Sequence, residues 1–248
     1  MAATTTKTRK NKAAPKGEPV AALPLWRRGL VWLRWGLFGL AAFYLTLMMI
    51  FSFAPPPGNL YQWSESWRLG GIQRDWVDWD QIAPVMARSV VAGEDANFCL
   101  HWGFDMVSIR DAIEKGSSRG ASTLSQQTVK NVFLWQGRSW LRKAMEALMT
   151  PTAELMWSKR RILELYLNEA EFGKGIFGVQ AAAQAMFNVD AKDLTPTQAA
   201  RLAAVLPNPQ EYRADKPGPY VRKRAAQIAS GAETILVDGR ADCFEAVH

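Results

Sequence analysis

The densest run of reactive side chains is Glu94-Asp95-Ala96-Asn97-Phe98-Cys99-Leu100-His101-Trp102-Gly103-Phe104-Asp105, where acids alternate with large aromatics. A carboxylate beside apolar walls has its charged form penalised, which raises its pKa toward the range of a general base or acid. The same acids also serve as ordinary solvated caps, and composition does not separate the two readings. A second cluster, Arg138, Arg142, Lys143 and Glu146, puts 142 and 146 on one helix face, with Arg138 just before the Ser139 cap on the same side. Taken alone it is a solvated salt-bridge ladder worth about 0.3–0.5 kcal/mol per pair. Taken as a site it is a phosphate clamp, because Arg presents a planar fork suited to phosphate oxygens. Between the two lies Gly120-Ala121-Ser122-Thr123-Leu124-Ser125-Gln126-Gln127-Thr128-Val129-Lys130-Asn131, a hydroxyl and amide run that opens a helix. Helix N-termini bind anions through their free N–H groups. P-loop spacing is missing, so a nucleoside triphosphate is not implied.

These groups must be held by helices. Ile82, Val85, Met86, Ser89 and Val90 recur at helical spacing and stop at Gly93, which puts Glu94 just past a helix end. A second helix fits Met106 to Lys115 with Asp105 as cap, ending in the turn-rich Gly116-Ser117-Ser118-Arg119-Gly120. Thr123-Leu124-Ser125-Gln126 has the capping-box pattern, and Thr195-Pro196-Thr197-Gln198 adds Pro at the first helical position of another. Ser139 caps a helix that Pro151 is expected to kink or interrupt before it runs on through Trp157. Further helices are expected over Arg161 to Asn168, over Gly178 to Phe187 after the turn Phe172-Gly173-Lys174-Gly175, and over Tyr220 to Val237, ended by Gly239. No window alternates with period two for long, and no repeat of period 20 to 50 is visible, so the domain is predicted to be mainly α.

With 248 residues, 48% hydrophobic, the chain allows one medium domain plus extensions. His101 and His248 are its two histidines, and Cys99 and Cys243 its two cysteines, which excludes a zinc ribbon or a His-rich metal centre built by the chain alone. The cysteines lie 144 positions apart, and spacing does not pair them. Of the net charge of +7, all falls in residues 1–34, which hold eight basic residues against Glu18, while the remainder is balanced. A nucleic-acid partner is therefore not indicated, despite a pI of about 9.5.

Trp35 to Ala54 runs for twenty residues without a charge, enough to cross roughly 30 Å of hydrocarbon. Trp26, Trp32 and Trp35 with Arg27, Arg28 and Arg34 suit an interface, and the run exceeds the h-region of a cleaved signal. The chain reads as a basic cytoplasmic tail (1–34), a transmembrane helix (35–54), a Trp-rich membrane-proximal linker (55–80) and an outward domain (81–248). The positive-inside rule supplies this orientation. Lipid headgroups are expected to meet the tail, and Trp63, Trp67, Trp76 and Trp79 fit either the membrane surface or ordinary core packing, with nothing in the sequence to choose between the two.

In this order the clusters resemble the peptidoglycan glycosyltransferase family (glycosyltransferase family 51), whose members polymerise lipid II. The matching strings are EDANFCLHWGFD (94–105), GASTLSQQTVKN (120–131), RKAME (142–146), KRRILELYLN (159–168) and RLAAVLPNP (201–209). With an anchor and no second large domain, the chain is similar to the monofunctional form. The resemblance implies a mainly α, lysozyme-like helical glycosyltransferase domain with one N-terminal transmembrane helix, in the inner membrane of a double-membraned bacterium with the catalytic domain periplasmic. It implies a growing lipid-linked glycan as donor, lipid II as acceptor, and undecaprenyl pyrophosphate as product beside a β-1,4 bond. Other cell-wall synthases would be further partners.

Carried over by position, Glu94 is the base for the acceptor 4-hydroxyl, and Glu146 acts at the pyrophosphate side, through a divalent cation (Mg²⁺ or Mn²⁺) or the basic residues. The family pattern places Lys130 and Arg138 on the pyrophosphate. Arg110, Ser122, Thr123, Gln126, Gln127, Asn131, Arg142 and Lys143 line or support the cleft, with Asp95 and His101 supporting. No tightly bound cofactor is implied, and the metal ligands are unknown. Arg161, Tyr166 and Asn168 are scaffold. Two readings compete: a lysozyme-like hydrolase or lytic transglycosylase, since paired acids also cleave glycans, and a non-catalytic cell-wall scaffold. A glycosidase has no pyrophosphate to bind, so the Arg and Lys cluster argues against the first.

Overall fold

The computed structural model describes residues 24–114 and 122–245. The expected tail over residues 1–23, the turn at Gly116–Gly120, Lys115, Gly120–Ala121 and His248 lie outside the described residues. The chain divides into two compact units, residues 1–45 and 46–248. In the first, the described part is almost wholly helix α1 (Leu25–Phe51), whose last turn belongs to the second unit. It starts ten residues before Trp35 and so takes in Arg27, Arg28 and Arg34. With 27 residues and an 18-residue stretch of mean hydropathy 1.6, it is long and apolar enough to cross a membrane, and its side chains are mostly exposed.

The second unit is mainly α. Helix α7 (Lys159–Glu169) runs through its centre, packed by α5 (Leu124–Phe133), α6 (Trp140–Met156) and α8 (Val179–Phe187). Every residue from Ile162 to Glu169 is buried. Helices α3 (Pro84–Glu94), α9 (Pro196–Val205) and α10 (Pro219–Val237) pack on one another as a second group. Asp105 accepts from the N–H groups of Val107 and Ser108 to start α4 (Met106–Glu114). Burial pushes its carboxyl up, but these bonds and those from Asn97 and the Ser108 hydroxyl outweigh it and leave the pKa at about 2. Thr123 and Thr195 both close their capping boxes. Helix α6 is not interrupted at Pro151: the carbonyl that loses its partner is that of exposed Ala147, where water can replace it. A short sheet, β1 (Gln73–Arg74), β2 (Glu171–Gly173) and β3 (Ile176–Phe177) in order β1-β3-β2, brackets the expected turn at 172–175.

The polar residues of α7 explain why 59–79 is ordered rather than a loose linker. Asn168 donates to the Val77 carbonyl and accepts from the Val77 N–H, both at 2.9 Å, acting like a neighbouring strand. Glu169 accepts from Asn59 (2.8 Å), Gln62 (2.9 Å) and Arg74 (2.8 Å), and Glu164 accepts from the Trp79 N–H. Helix α2 (Leu60–Leu69) thus buries Gln62 and Glu65 and leaves Trp63 and Trp67 71% and 89% exposed. Trp76 and Trp79 instead pack under Arg161 and Arg160. The four tryptophans divide two and two.

The last turn of α1 is fastened to the domain. Trp157 Nε1 donates to the Met48 carbonyl at 2.9 Å, and Arg161 donates to the carbonyls of Phe51 (2.9 Å) and Ala54 (2.7 Å). Phe51, Phe133 and Trp157 stack in sequence, with ring centroids 5.9 and 6.1 Å apart. Cys99 and Cys243 form a disulfide, with Cα atoms 5.6 Å apart.

Candidate active site

Glu94 is the last residue of α3, half-buried at the edge of a hollow of about 200 Å³ that Asp95, Asn97, Ser122 and Thr123 also line. Burial raises its pKa; the hydrogen bond from Gln127 and the charges of Arg224 and Lys130 oppose that shift without cancelling it. Gln127 Nε2 donates to Glu94 Oε2 at 3.1 Å, while Gln127 Oε1 accepts from the buried Tyr166 hydroxyl at 3.3 Å. The amide is thereby oriented with its donor toward the acid.

Behind Glu94, the loop 95–105 is tied down by its own acid. Asp95 caps α3, receives the Leu124 N–H at 2.9 Å, and faces His101 Nε2 at 2.9 and 3.1 Å, so that nitrogen carries the donated proton. Thr123 donates to the Gly103 carbonyl at 2.7 Å. Gly103 has φ of 83°, and a Cβ there would sit 2.8 Å from Thr150 on α6, so glycine is required twice over. Ser125 donates to Glu154, which Lys159 also holds, and Lys159 reaches the His101 carbonyl at 2.8 Å.

The basic residues occupy the adjoining wall. Lys143 Nζ lies 3.1 Å from Ser122 Oγ and 2.9 Å from Glu146 Oε2, and Arg142 pairs with the other oxygen of the buried Glu146. Gln127 also donates to the Ser122 carbonyl at 3.4 Å, so one polar network runs from Tyr166 through Gln127, Ser122 and Lys143 to Glu146. Lys130, with Asn131, Gln127 and Tyr166, lines a second hollow of about 290 Å³. Its ammonium has no ion-pair partner among the described residues. Burial and the nearby Arg142 lower its pKa, and Glu94 partly restores it. Burial likewise lowers that of Lys143, with Arg142 and Lys130 adding to the effect. A half-buried cluster with more cations than anions attracts a polyanion.

Of the residues expected at the site, the fold brings together Glu94, Asp95, His101, Ser122, Thr123, Gln127, Lys130, Asn131, Arg142, Lys143 and Glu146. Gln126 spends its side chain on the Thr123 cap. Arg110 and Arg138 are exposed, on α4 and before α6, and are not drawn into the network. Arg224 was missed by sequence reasoning. From α10 it donates to the Gly93 carbonyl at 2.6 Å and lies close enough to oppose the rise in the Glu94 pKa. The only local signal was the basic run Arg222-Lys223-Arg224, which reads as a solvated face.

The sequence model of the transglycosylase family matches residues 64–233. The chain is 61% identical over 213 residues to the biosynthetic peptidoglycan transglycosylase of Jannaschia sp. (strain CCS1), covering 86% of this chain and 89% of that protein. The proteins of the same name from Pseudomonas aeruginosa and Xanthomonas axonopodis pv. citri are 49% and 46% identical over 82% and 84% of the chain, and 90% and 91% of their own lengths.

Proposed function

The chain belongs to the transglycosylase family, and from that premise we propose that it polymerises lipid II into β-1,4-linked glycan strands, releasing undecaprenyl pyrophosphate. It is a peptidoglycan glycosyltransferase of cell-wall synthesis. The observation that carries the finer reading is the placement of Glu94, a carboxylate with raised pKa, on the same polar network as Arg142 and Lys143, with the charge of Lys130 also acting on it.

Glu94 takes the proton of the acceptor's 4-hydroxyl as that oxygen attacks the donor's anomeric carbon. The anomeric C–O bond to pyrophosphate breaks, and the leaving group carries the electron pair away as negative charge. Lys130, Arg142 and Lys143 stabilise that charge, so no leaving-group acid is needed. Glu146 holds Arg142 and Lys143 in place. This also disfavours the hydrolase reading, because a glutamate paired to two cations is poorly suited to protonate a sugar oxygen. A divalent cation at the pyrophosphate would be bound mainly by phosphate oxygens, since both oxygens of Glu146 already face cations. No step is assigned to it.

For topology, we place residues 1–34 in the cytoplasm and the catalytic domain on the periplasmic side. The cluster of basic residues before the apolar helix and the Cys99–Cys243 bond, which suits an oxidising compartment, support that placement. The test is to incubate the full-length protein with labelled lipid II in detergent and resolve the products with and without muramidase. A ladder that muramidase collapses is expected; shortening of finished glycan without polymer would favour the hydrolase.

Arg224 supplies a second check. Its removal takes away a charge that lowers the Glu94 pKa, so in Arg224→Ala the base is deprotonated over a narrower, more alkaline range. The acid limb of kcat/KM against pH is expected to move to higher pH. A limb that stays in place would separate Arg224 from the base.

A further inference from the structure

Residues 238–245 lie beyond the stretch matched by the family, yet they grip the loop that follows Glu94. Cys243, on the short helix α11 (Asp242–Glu245), is bonded to Cys99 in the middle of that loop. Arg240 Nη1 donates to the Ala96 carbonyl at 3.0 Å, two residues after Glu94. Phe244 is buried, with its ring centroid 6.5 Å from Phe98 and 6.3 Å from Trp79. The gripping segment is itself anchored twice. Glu245 takes both of its bonds, at 2.8 and 2.9 Å, from Arg88 on α3, the helix that ends in Glu94. Arg160 on α7 donates to the Phe244 carbonyl at 3.0 Å.

Three of these ties converge on residues 96–99, whose other backbone bonds are short turns within the loop: Phe98 N–H to the Asp95 carbonyl and Leu100 N–H to the Asn97 carbonyl. Glu94 and Asp95 meet α5 directly, through Gln127 and the Leu124 N–H, but the backbone of residues 96–99 that carries the loop onward from them is held from outside mainly by the 238–245 segment. We propose that Asp238–Glu245 is a clasp that positions the Glu94–Asp105 loop, with Cys99, Arg240 and Cys243 as positioning residues, and that the rate of glycosyl transfer depends on the Cys99–Cys243 bond being formed. The proposal rests on Glu94 being the base. Both cysteines are half-buried, within reach of a small reductant. A dithiol supplies two electrons and two protons by exchange through a mixed disulfide; the protein gains two thiols and the reductant closes to its own disulfide.

The effect should fall on kcat, because the loop sets the position of the base rather than the affinity for lipid II. A displacement of the order of 1 Å at a reacting group costs about a hundredfold, and a loosened loop is expected to lose about ten- to a hundredfold. The test uses the full-length protein in detergent, oxidised and after dithiothreitol, beside Cys99→Ser/Cys243→Ser and Arg240→Ala. Polymerisation is followed at varied lipid II, with circular dichroism at the assay temperature and hydrogen exchange of residues 96–101. The expected result is a lower kcat with KM within twofold, folded signal retained, faster exchange in the loop, recovery on reoxidation, and a double variant indifferent to reductant. Unchanged kcat on reduction, or loss in step with the folded signal, would overturn the proposal while leaving the polymerase reading intact. If the oxidised wild type makes no polymer, the polymerase reading fails, and unaltered exchange at 96–101 would then overturn the clasp separately.

Discussion

Glu94→Gln is expected to abolish polymer formation from lipid II, with kcat down by about 10²–10⁴-fold, while the protein melts no lower than wild type. Gln keeps the size of the side chain but accepts no proton. The stability arm follows from the sign of the pKa shift. Burial raises the folded pKa of Glu94 above its ordinary value, so the charged form is the one that folding disfavours, and this cost is present once the pH passes the folded pKa. Removing the charge removes that cost at neutral pH. In the wild type the same shift sets an acid limb: activity falls as the pH drops through the raised pKa, because the base becomes protonated. Polymer ladders with a thermal melt read both arms together, and a variant that retains activity would displace Glu94 from its role.

Lys130→Met is expected to lower kcat by about 10²–10³-fold, the scale of losing one preorganised charge that meets developing negative charge, with the fold intact. Lys130 is largely desolvated and feels the opposing charges of Arg142 and Glu94, with no ion-pair partner among the described residues, so its charge is free to act on a ligand. Methionine fills a similar volume without leaving a buried charge behind. Initial polymerisation rates with a melt would check it. The contrast is Lys143, which is bonded to Ser122 and Glu146, so that its loss also takes one of the two cations away from that buried acid.

Local chemistry was legible in the sequence, and long-range pairing was not. The caps at Asp105, Thr123, Ser139 and Thr195 depend on residues three apart, and each stands where the pattern put it. The glutamates could be assigned roles only through the ordered motifs, because neither their burial nor the cations around them shows in composition. Helix α2 escaped notice because it inverts the usual pattern, burying Gln62 and Glu65 and exposing two tryptophans. Its polar face makes sense only against Glu169, more than a hundred positions away. Strands of two or three residues are too short to show alternation. Arg224 and the pairing of Cys99 with Cys243 depend on α10 and α11 folding back onto α3 and its loop, which no local window contains.

The carbonyls of Met48, Phe51 and Ala54 already serve as acceptors for the domain, so the seam between anchor and enzyme lies inside a helix rather than at its end. A fragment cut at Pro55 would leave the Trp157 indole and the Arg161 guanidinium without those acceptors, at about 1–3 kcal/mol for each buried donor stranded. A foreign anchor is therefore best grafted upstream of Thr46, where the borrowed helix can differ freely while the final native turn travels with the enzyme it completes.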